Sequence, residues 1–335
     1  MNTLIFEKSF NRHTEYLNPT LIKYNLGFHY EVLENKENGL LQPFFFKLCD
    51  ELKKDNLDFA ITHDDTVNAG VLYRENLVFI TFGMFDSLCK LAELICCSGV
   101  LGNEKSEKRY ENLNFIGNPF TGFKKTKPVF DCETTSKLLL VIFDCLLVFV
   151  IGHEKGHIDN AHGNIGQSKI TEDITNTITG NLSVISQHAK ELVADLSGFN
   201  HAKYRLNYSI SKNKHTSPEV SKLLNNIDSD TLVLFILTCF FKMMDNIYGV
   251  SPDMTTRSHP YASFRAHTLL AMKFNYKNLE SGGFDSLNAI LTMVDEVFEY
   301  SSARHDSEWL KKSTTKEMSE WYSMIYGEIP KWRVT

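Results

Sequence analysis

Proline and glycine are scarce in this chain of 335 residues: 8 Pro and 18 Gly exclude collagen-like and low-complexity proteins. Basic residues are not in excess, since 35 Lys and Arg stand against 41 Asp and Glu. A net charge of −6 argues against a general nucleic-acid binder, which needs a dense basic face. The seven cysteines include no C-x-x-C pair, and most lie in apolar runs, where a free thiol packs as a small hydrophobic residue. What the chain does have is 43% hydrophobic and 12% aromatic residues, which is ample for a folded core.

Targeting and membrane signals are also few. The first residues, MNTLIFEKSFNRH, show no basic region followed by an apolar core, so we expect no signal peptide and a cytoplasmic location. Two apolar runs, Leu138 to Ile151 and Leu232 to Phe241, are shorter than the roughly 20 residues of a spanning helix. Asp144 interrupts the first run, and Lys242 follows the second. Both are therefore predicted to be buried helices without a membrane partner, and an integral membrane protein is the alternative.

The hydrophobic patterns predict an α+β protein that is mostly α. Three short segments rich in β-branched and aromatic residues, 57–62, 68–73 and 77–82, predict a small antiparallel β meander. From Thr134 onward the pattern is almost wholly helical. The predicted helices lie near 135–161, 172–208, 217–226, 229–248, 260–275, 285–303 and 306–326. The sequence Ser217-Pro218-Glu219 is typical of a helix start, with a serine placed to cap free backbone amides.

The most informative motif is VIGHEKGH at residues 150–157, in which His153, Glu154 and His157 form H-E-x-x-H. Side chains four residues apart share one face of a helix, so both imidazoles can bind one metal ion. Glu154 lies about 100° further round, where its carboxylate can reach a water on the metal without binding the metal. Tetrahedral zinc would then take one more protein ligand and one water. The alternative is an exposed charged helix end, but the apolar run LLLVIFDCLLVFVIG leads directly into the motif and favours a buried site.

The predicted third ligand comes from a second helix, which carries KELVADLSG. Glu191 and Asp195 lie four residues apart and therefore on one helix face. Glu191 is the candidate third metal ligand, and Asp195 could accept a hydrogen bond from the far nitrogen of a ligand histidine. The alternative is an ordinary pair of surface acids, which would repel each other mildly.

A third segment, SHPYASFRAH, adds His259 and Arg265. His259 is a candidate donor to the oxyanion of a tetrahedral intermediate, and Arg265 could hold Glu191 or Asp195 in place. The alternative is a His-Pro dipeptide at a helix start and a surface arginine. His162 lies one place away from the third histidine of the extended H-E-x-x-H-x-x-G-x-x-H motif and is interpreted as a rim residue.

Together, G-H-E-x-G-H-I, E-L-x-A-D and S-H-P-x-x-x-x-R, in that order, resemble the gluzincin metallopeptidases of the HtpX and CAAX-prenyl-protease type. Residues 68–88 (NAGVLYRENLVFITFGMFDSL) are similar to the strand-and-helix segment before the zinc helix in that group. Those enzymes carry membrane helices and usually lack a long segment before H-E-x-x-H. The soluble Lit-type phage-exclusion peptidases have such a segment and resemble this chain in size and layout. The resemblance implies a zincin-like fold, bound Zn²⁺ and a cytosolic protease with a narrow protein target in antiviral defence.

The sequence thus predicts a zinc-dependent endopeptidase of protein or peptide substrates. His153, His157 and Glu191 would bind Zn²⁺, and Glu154 would be the general base toward a metal-activated water. The strand at 77–82 is a candidate edge for aligning an extended substrate. The alternatives are an integral-membrane HtpX-like protease and a non-catalytic regulator stapled by zinc.

The domain prediction is an N-terminal extension at 1–56 followed by a catalytic domain at 57–335. Residues 101–136 interrupt the pattern with charges, Gly, Pro and Asn between the pre-catalytic helix and the zinc helix. They are a candidate lid on which a regulatory partner could act, and the alternative is a plain surface insertion.

Overall fold

The structure is a computed structural model. It describes residues 52, 54–62, 65–73, 76–105, 132–163, 184–211, 217–248, 259–273, 283–300, 308–313 and 315–333. Within these residues three strands precede eight α-helices and one 3₁₀ helix. The strands are β1 (Asp58–Thr62), β2 (Ala69–Leu72) and β3 (Leu77–Thr81). The helices are α1 (Phe82–Ser98), α2 (Glu133–Asp159), α3 (Val184–Ser211), α4 (Pro218–Leu224), α5 (Ser229–Tyr248), α6 (Ala262–Lys273), α7 (Gly283–Tyr300) and α8 (Lys316–Trp332), with a 3₁₀ helix at Trp309–Ser313 before α8.

The small sheet is mixed, so the predicted antiparallel meander is wrong. The strand order is β1-β3-β2: β1 runs parallel to β3, and β2 pairs antiparallel with β3. The chain after β1 therefore crosses to the far side of β3 instead of forming a hairpin beside β1. Strand β3, LVFIT, is buried throughout, as a central strand requires. The predicted substrate edge at 77–82 is wrong for the same reason, and β1 and β2 form the margins of the described sheet.

Local signals set most helix ends. Thr81 accepts a hydrogen bond from the backbone N–H of Met84 and so begins α1, and Gly99, with φ of 73°, ends it. The predicted start at Ser217 is confirmed, because its side chain accepts from the N–H of Val220 at the beginning of α4. The single helix predicted at 306–326 is wrong: the side chain of Thr315 caps the N–H of Met318, so α8 begins there and continues to Trp332.

Helices α2 and α3, of 27 and 28 residues, pack along each other and form the centre of the protein. Small residues let their backbones approach closely. A Cβ at Gly198 would lie 2.6 Å from the carbonyl oxygen of Phe149, and a Cβ at Gly156 would lie 2.7 Å from the Cβ of Ser197. This close approach brings the middle of α3 to the last two turns of α2.

Both helices that carry the long apolar runs, α2 and α5, are long and apolar enough to cross a membrane. In α2, 89% of the apolar stretch is buried inside the protein, and in α5 the share is 67%. Asp144, which interrupts the run in α2, accepts two hydrogen bonds from Arg205 of α3, at 2.7 and 3.2 Å, inside the core. The apolar faces of these helices are thus covered largely by the protein's own side chains.

Two predicted segments lie largely outside the described residues. Of the N-terminal extension at 1–56, only residue 52 and residues 54–56 are described. Of the candidate lid at 101–136, residues 106–131 are outside the described part of the chain. The lid therefore stays a prediction.

Candidate metal centre

The polar end of α2 lies inside the protein rather than on its surface. His153, Glu154 and His157 are all buried in the last two turns of the helix. The Nε2 atoms of the two histidines are 3.2 Å apart. From α3, Oε1 of Glu191 lies 3.1 Å from Nε2 of His157, and Oε2 lies 3.4 Å from Nε2 of His153. A tetrahedral zinc about 2.0–2.1 Å from each nitrogen holds its ligand atoms about 3.3 Å apart, so these three residues could hold a metal ion.

Hydrogen bonds to the far side of each ring fix which nitrogen faces the centre. Nδ1 of His153 lies 3.0 Å from Oδ1 of Asp195 and donates to that carboxylate. Nδ1 of His157 lies 2.9 Å from Nδ1 of His162, whose Nε2 lies 2.8 Å from the carbonyl oxygen of Trp332. Since a carbonyl only accepts, His162 is protonated at Nε2, and its Nδ1 accepts the Nδ1 proton of His157. Both histidines therefore direct Nε2 toward the centre, and Nε2 is the nitrogen that a metal ion there would take.

The carboxylate of Asp195 accepts two hydrogen bonds from the guanidinium group of Arg265 on α6. Arg265 donates from Nε to Oδ2 at 2.8 Å and from Nη2 to Oδ1 at 2.6 Å. The same Nη2 lies 3.4 Å from Nδ1 of His153, which is farther than its 2.6 Å distance to Oδ1 of Asp195. The arginine therefore donates chiefly to the carboxylate. Burial alone would raise the pKa of Asp195, but the adjacent guanidinium holds it below the usual value. Asp195 is thus a charged acceptor that orients His153.

The electrostatics of the centre favour a cation. Burial opposes the charge of Glu191, which is 1% exposed, but His259, His157 and His153 bring its pKa well below the usual value. Its Oε2 accepts no hydrogen bond from any residue in the described part of the chain. Burial would lower the pKa of His153, yet Glu191 and Asp195 raise it to about 10. A site that attracts a proton this strongly supplies the negative field that a metal ion also requires.

A pocket of about 140 Å³ opens beside the centre. Glu154 lies on its wall next to His153 and Glu191. His259 lines the pocket with its side chain one-third exposed, and its Nε2 lies 3.8 Å from Oε2 of Glu191. The structure therefore brings the residues of all three predicted segments to one place, around a cavity that reaches solvent.

No protein-family model matches this chain, and no curated protein or solved structure is detectably similar to it. The mostly helical architecture and the buried triad of His153, His157 and Glu191 are consistent with a zincin-like H-E-x-x-H site with a downstream Glu. The case for a metal centre therefore depends on the geometry of the chain itself.

Sequence reasoning missed the contribution of His162, Lys190 and Trp332. The interpretation of His162 as a rim residue is wrong, because the side chain is buried against His157. After α2 ends, Ala161 adopts a positive φ of 52° and turns the chain back over the helix. A histidine just past the helix end was the available signal, but its partner Trp332 lies 170 residues away, and no local pattern marks that pairing.

We expect Asp195→Asn to lower zinc affinity about 10–100-fold, because the amide no longer offers His153 a charged acceptor. Asparagine keeps the size of the side chain, so the fold should persist at reduced stability. Chelator competition on the purified protein measures the affinity. Asp159→Asn is the matched control, since Asp159 ends the same α2 but pairs with Lys155 away from the centre. An unchanged zinc dissociation constant in Asp195→Asn would contradict the orienting role.

Proposed function

We propose that this protein is a zinc-dependent endopeptidase in which His153, His157 and Glu191 hold the metal. The observation that carries the proposal is that Nε2 of His153 and Nε2 of His157 meet the buried carboxylate of Glu191, whose Oε2 accepts no hydrogen bond among the described residues. His153, Glu191 and Glu154 also line the adjacent pocket. Structural zinc sites are normally closed by four protein ligands. Among the described residues only these three meet at ligand distance, and the pocket lies beside them. That arrangement favours catalysis over a zinc-stapled regulator.

The donor set supports zinc in particular. Two imidazoles and one carboxylate are a common catalytic zinc set, and softer metals would favour thiolates. None of the described cysteines belongs to the group of residues that could hold a metal ion. Zinc held there would lower the pKa of a water ligand toward about 7 and polarise a carbonyl.

Glu154 and His259 supply the groups for proton transfer and oxyanion stabilisation. The carboxylate of Glu154 accepts a proton from the attacking water and passes it to the amine nitrogen as the C–N bond breaks. The products are one carboxylate and one protonated amine, so both protons of the water end on the amine and Glu154 is again a carboxylate. His259 lines the same pocket and donates a hydrogen bond to the carbonyl oxygen as negative charge develops there.

The pocket supports a peptide substrate with an apolar side chain. Its lining includes the apolar side chains of Met84, Phe149, Phe240 and Met244. A cavity of about this volume with apolar lining can hold a six-carbon ring. Asn68 and Ala69, at the beginning of the marginal strand β2, also line it. Strand β2 therefore replaces β3 as the edge along which we propose that an extended peptide pairs.

We further propose a cytoplasmic enzyme that acts without a membrane or nucleic acid, with a narrow target in phage exclusion as the Lit-type resemblance implies. The burial of the apolar stretches of α2 and α5 supports this over the HtpX-like alternative, since little of α2 is left to face lipid. The acidic net charge of −6 supports a protein substrate over a nucleic acid.

The test is cleavage by purified full-length protein of a denatured cell proteome, with new N-termini mapped by mass spectrometry. We expect cleavages that disappear when a chelator removes the metal and return when zinc, but not magnesium, is restored. Cleavage that persists in the metal-free protein would contradict a zinc mechanism. If the protein binds zinc but cleaves no protein in any fraction of its host's proteome, the result would favour the alternative of a non-catalytic regulator stapled by zinc.

A further inference from the structure

His162 connects the candidate metal ligand His157 to the C-terminal helix. Both ring nitrogens of His162 are engaged: Nδ1 accepts from His157 at 2.9 Å, and Nε2 donates to the carbonyl of Trp332 at 2.8 Å. No lone pair of this ring is left for a metal. His162 therefore does not serve as a further ligand, although it is buried beside one.

Lys190 of α3 contacts both His162 and Trp332, the two residues joined by the hydrogen bond from Nε2 of His162. Its Nζ donates to the carbonyl oxygen of His162 at 2.6 Å and lies 4.2 Å above the centre of the Trp332 ring. The same side chain thus contacts the backbone of His162 and the last turn of α8. Because the ammonium group of Lys190 is buried, its hydrogen bond to the His162 carbonyl and its cation–π contact with Trp332 restrict the motion of both residues.

The rest of α8 is fastened to α3 independently. The indole N–H of Trp321 donates to Nδ1 of His188 at 3.1 Å, and Ser186 bonds Glu328 at 3.2 Å. Ile325 packs in a cluster with Ala189 and Leu192 of α3. None of these contacts involves His157 or His162, so α8 can remain docked when the link at Trp332 is broken.

We infer that His162 is a positioning residue for His157, and that the last turn of α8, through the Trp332 carbonyl, sets the orientation of that metal ligand. The inference rests on the proposed metal centre. The physical reason is that Trp332 fixes the tautomer of His162, and an Nδ1 acceptor on His162 then selects the Nδ1-protonated form of His157. Only that form offers Nε2 to a metal.

The test compares zinc affinity, by competition with a chromophoric chelator, in two variants of His162. His162→Leu removes the acceptor and should weaken zinc binding about 10–100-fold. His162→Asn can place its Oδ1 near the position of the lost Nδ1, so we expect it to retain affinity within about threefold of wild type. Proton–nitrogen correlation spectra should show a slowly exchanging Nδ1 proton on His157 in wild type and His162→Asn only. Equal affinity in wild type and His162→Leu would overturn the inference.

A double-mutant cycle tests the contribution of α8. Trp332→Ala should loosen the last turn and weaken zinc binding severalfold, but it should add nothing in the His162→Leu background. Trp321→Ala is the matched control: it removes a tryptophan of the same helix that bonds His188 instead, and it should leave zinc affinity unchanged. Equal losses from Trp332→Ala in both backgrounds would overturn the proposed coupling. A wild-type protein that binds no zinc would instead refute the metal centre itself.

Discussion

Alanine at both His153 and His157 should abolish zinc binding, whereas the wild-type chain should carry about one zinc per chain. The double change removes both imidazole ligands, so that Glu191 is the one member of the triad that remains. One carboxylate cannot retain the metal against a chelator, because structural and catalytic zinc sites need three or four protein ligands. Elemental analysis of the purified proteins measures the stoichiometry directly.

The same variant should also lose the stabilisation that zinc gives. Free zinc at a thousandfold above the dissociation constant stabilises a single-site protein by about 4 kcal/mol. In wild type that stabilisation should raise the melting temperature by roughly 5–10 °C, and in the double variant the shift should vanish. His201→Ala is the control, since His201 is bonded to the carbonyl of Ser197 and lies outside the triad. Full zinc occupancy in the double variant would contradict the ligand assignment.

Glu154→Gln should keep zinc and lose cleavage. The amide has nearly the shape of the carboxylate, and the three ligand side chains remain, so metal content should match that of wild type. The amide cannot accept the proton of the attacking water, and removal of a general base typically costs about 10²–10⁴ in turnover. Comparison of new N-termini in cells that express wild type or Glu154→Gln measures the loss across all cellular proteins at once, so no substrate has to be chosen beforehand.

The control for this comparison is Lys155→Gln, one residue further along α2. Lys155 pairs with Asp159 and Asp55 rather than with the centre, so its loss should leave cleavage near the wild-type rate. If Glu154→Gln cleaves an identified substrate as fast as wild type does, Glu154 is not the base. A metal-free Glu154→Gln protein would instead show that Glu154 is needed for the site to form.

Much of the candidate site could be predicted because helix geometry is local. The H-E-x-x-H spacing places both histidines on one face whatever the rest of the chain does, and the E-x-x-x-D spacing does the same for Glu191 and Asp195. The apolar run before the motif indicated that it enters the interior, and the burial of His153 agrees. The helix at 229–248 was predicted at its observed ends because its apolar pattern stops at both.

The sheet and the last helix could not be predicted in the same way. Strands β1 and β3 are parallel neighbours, although β2 lies between them in the sequence. The alternation of apolar and polar side chains along one strand specifies neither its partner strand nor the register of the pair, because both depend on contacts with the rest of the core. The break between the 3₁₀ helix and α8 depends on the side chain of Thr315, which competes with continued helix by bonding the backbone.

By itself the sequence determined the helical faces and the residue types of the candidate metal centre, because the periods of helices and strands are set by local backbone geometry. Only the tertiary structure decided which residues surround that centre. The glycines at the α2 and α3 contact bring Glu191 within 3.1 Å of His157, and the fold carries the Trp332 carbonyl to His162 across 170 residues. Such contacts depend on how whole helices pack, and packing is a property of the complete core rather than of any segment.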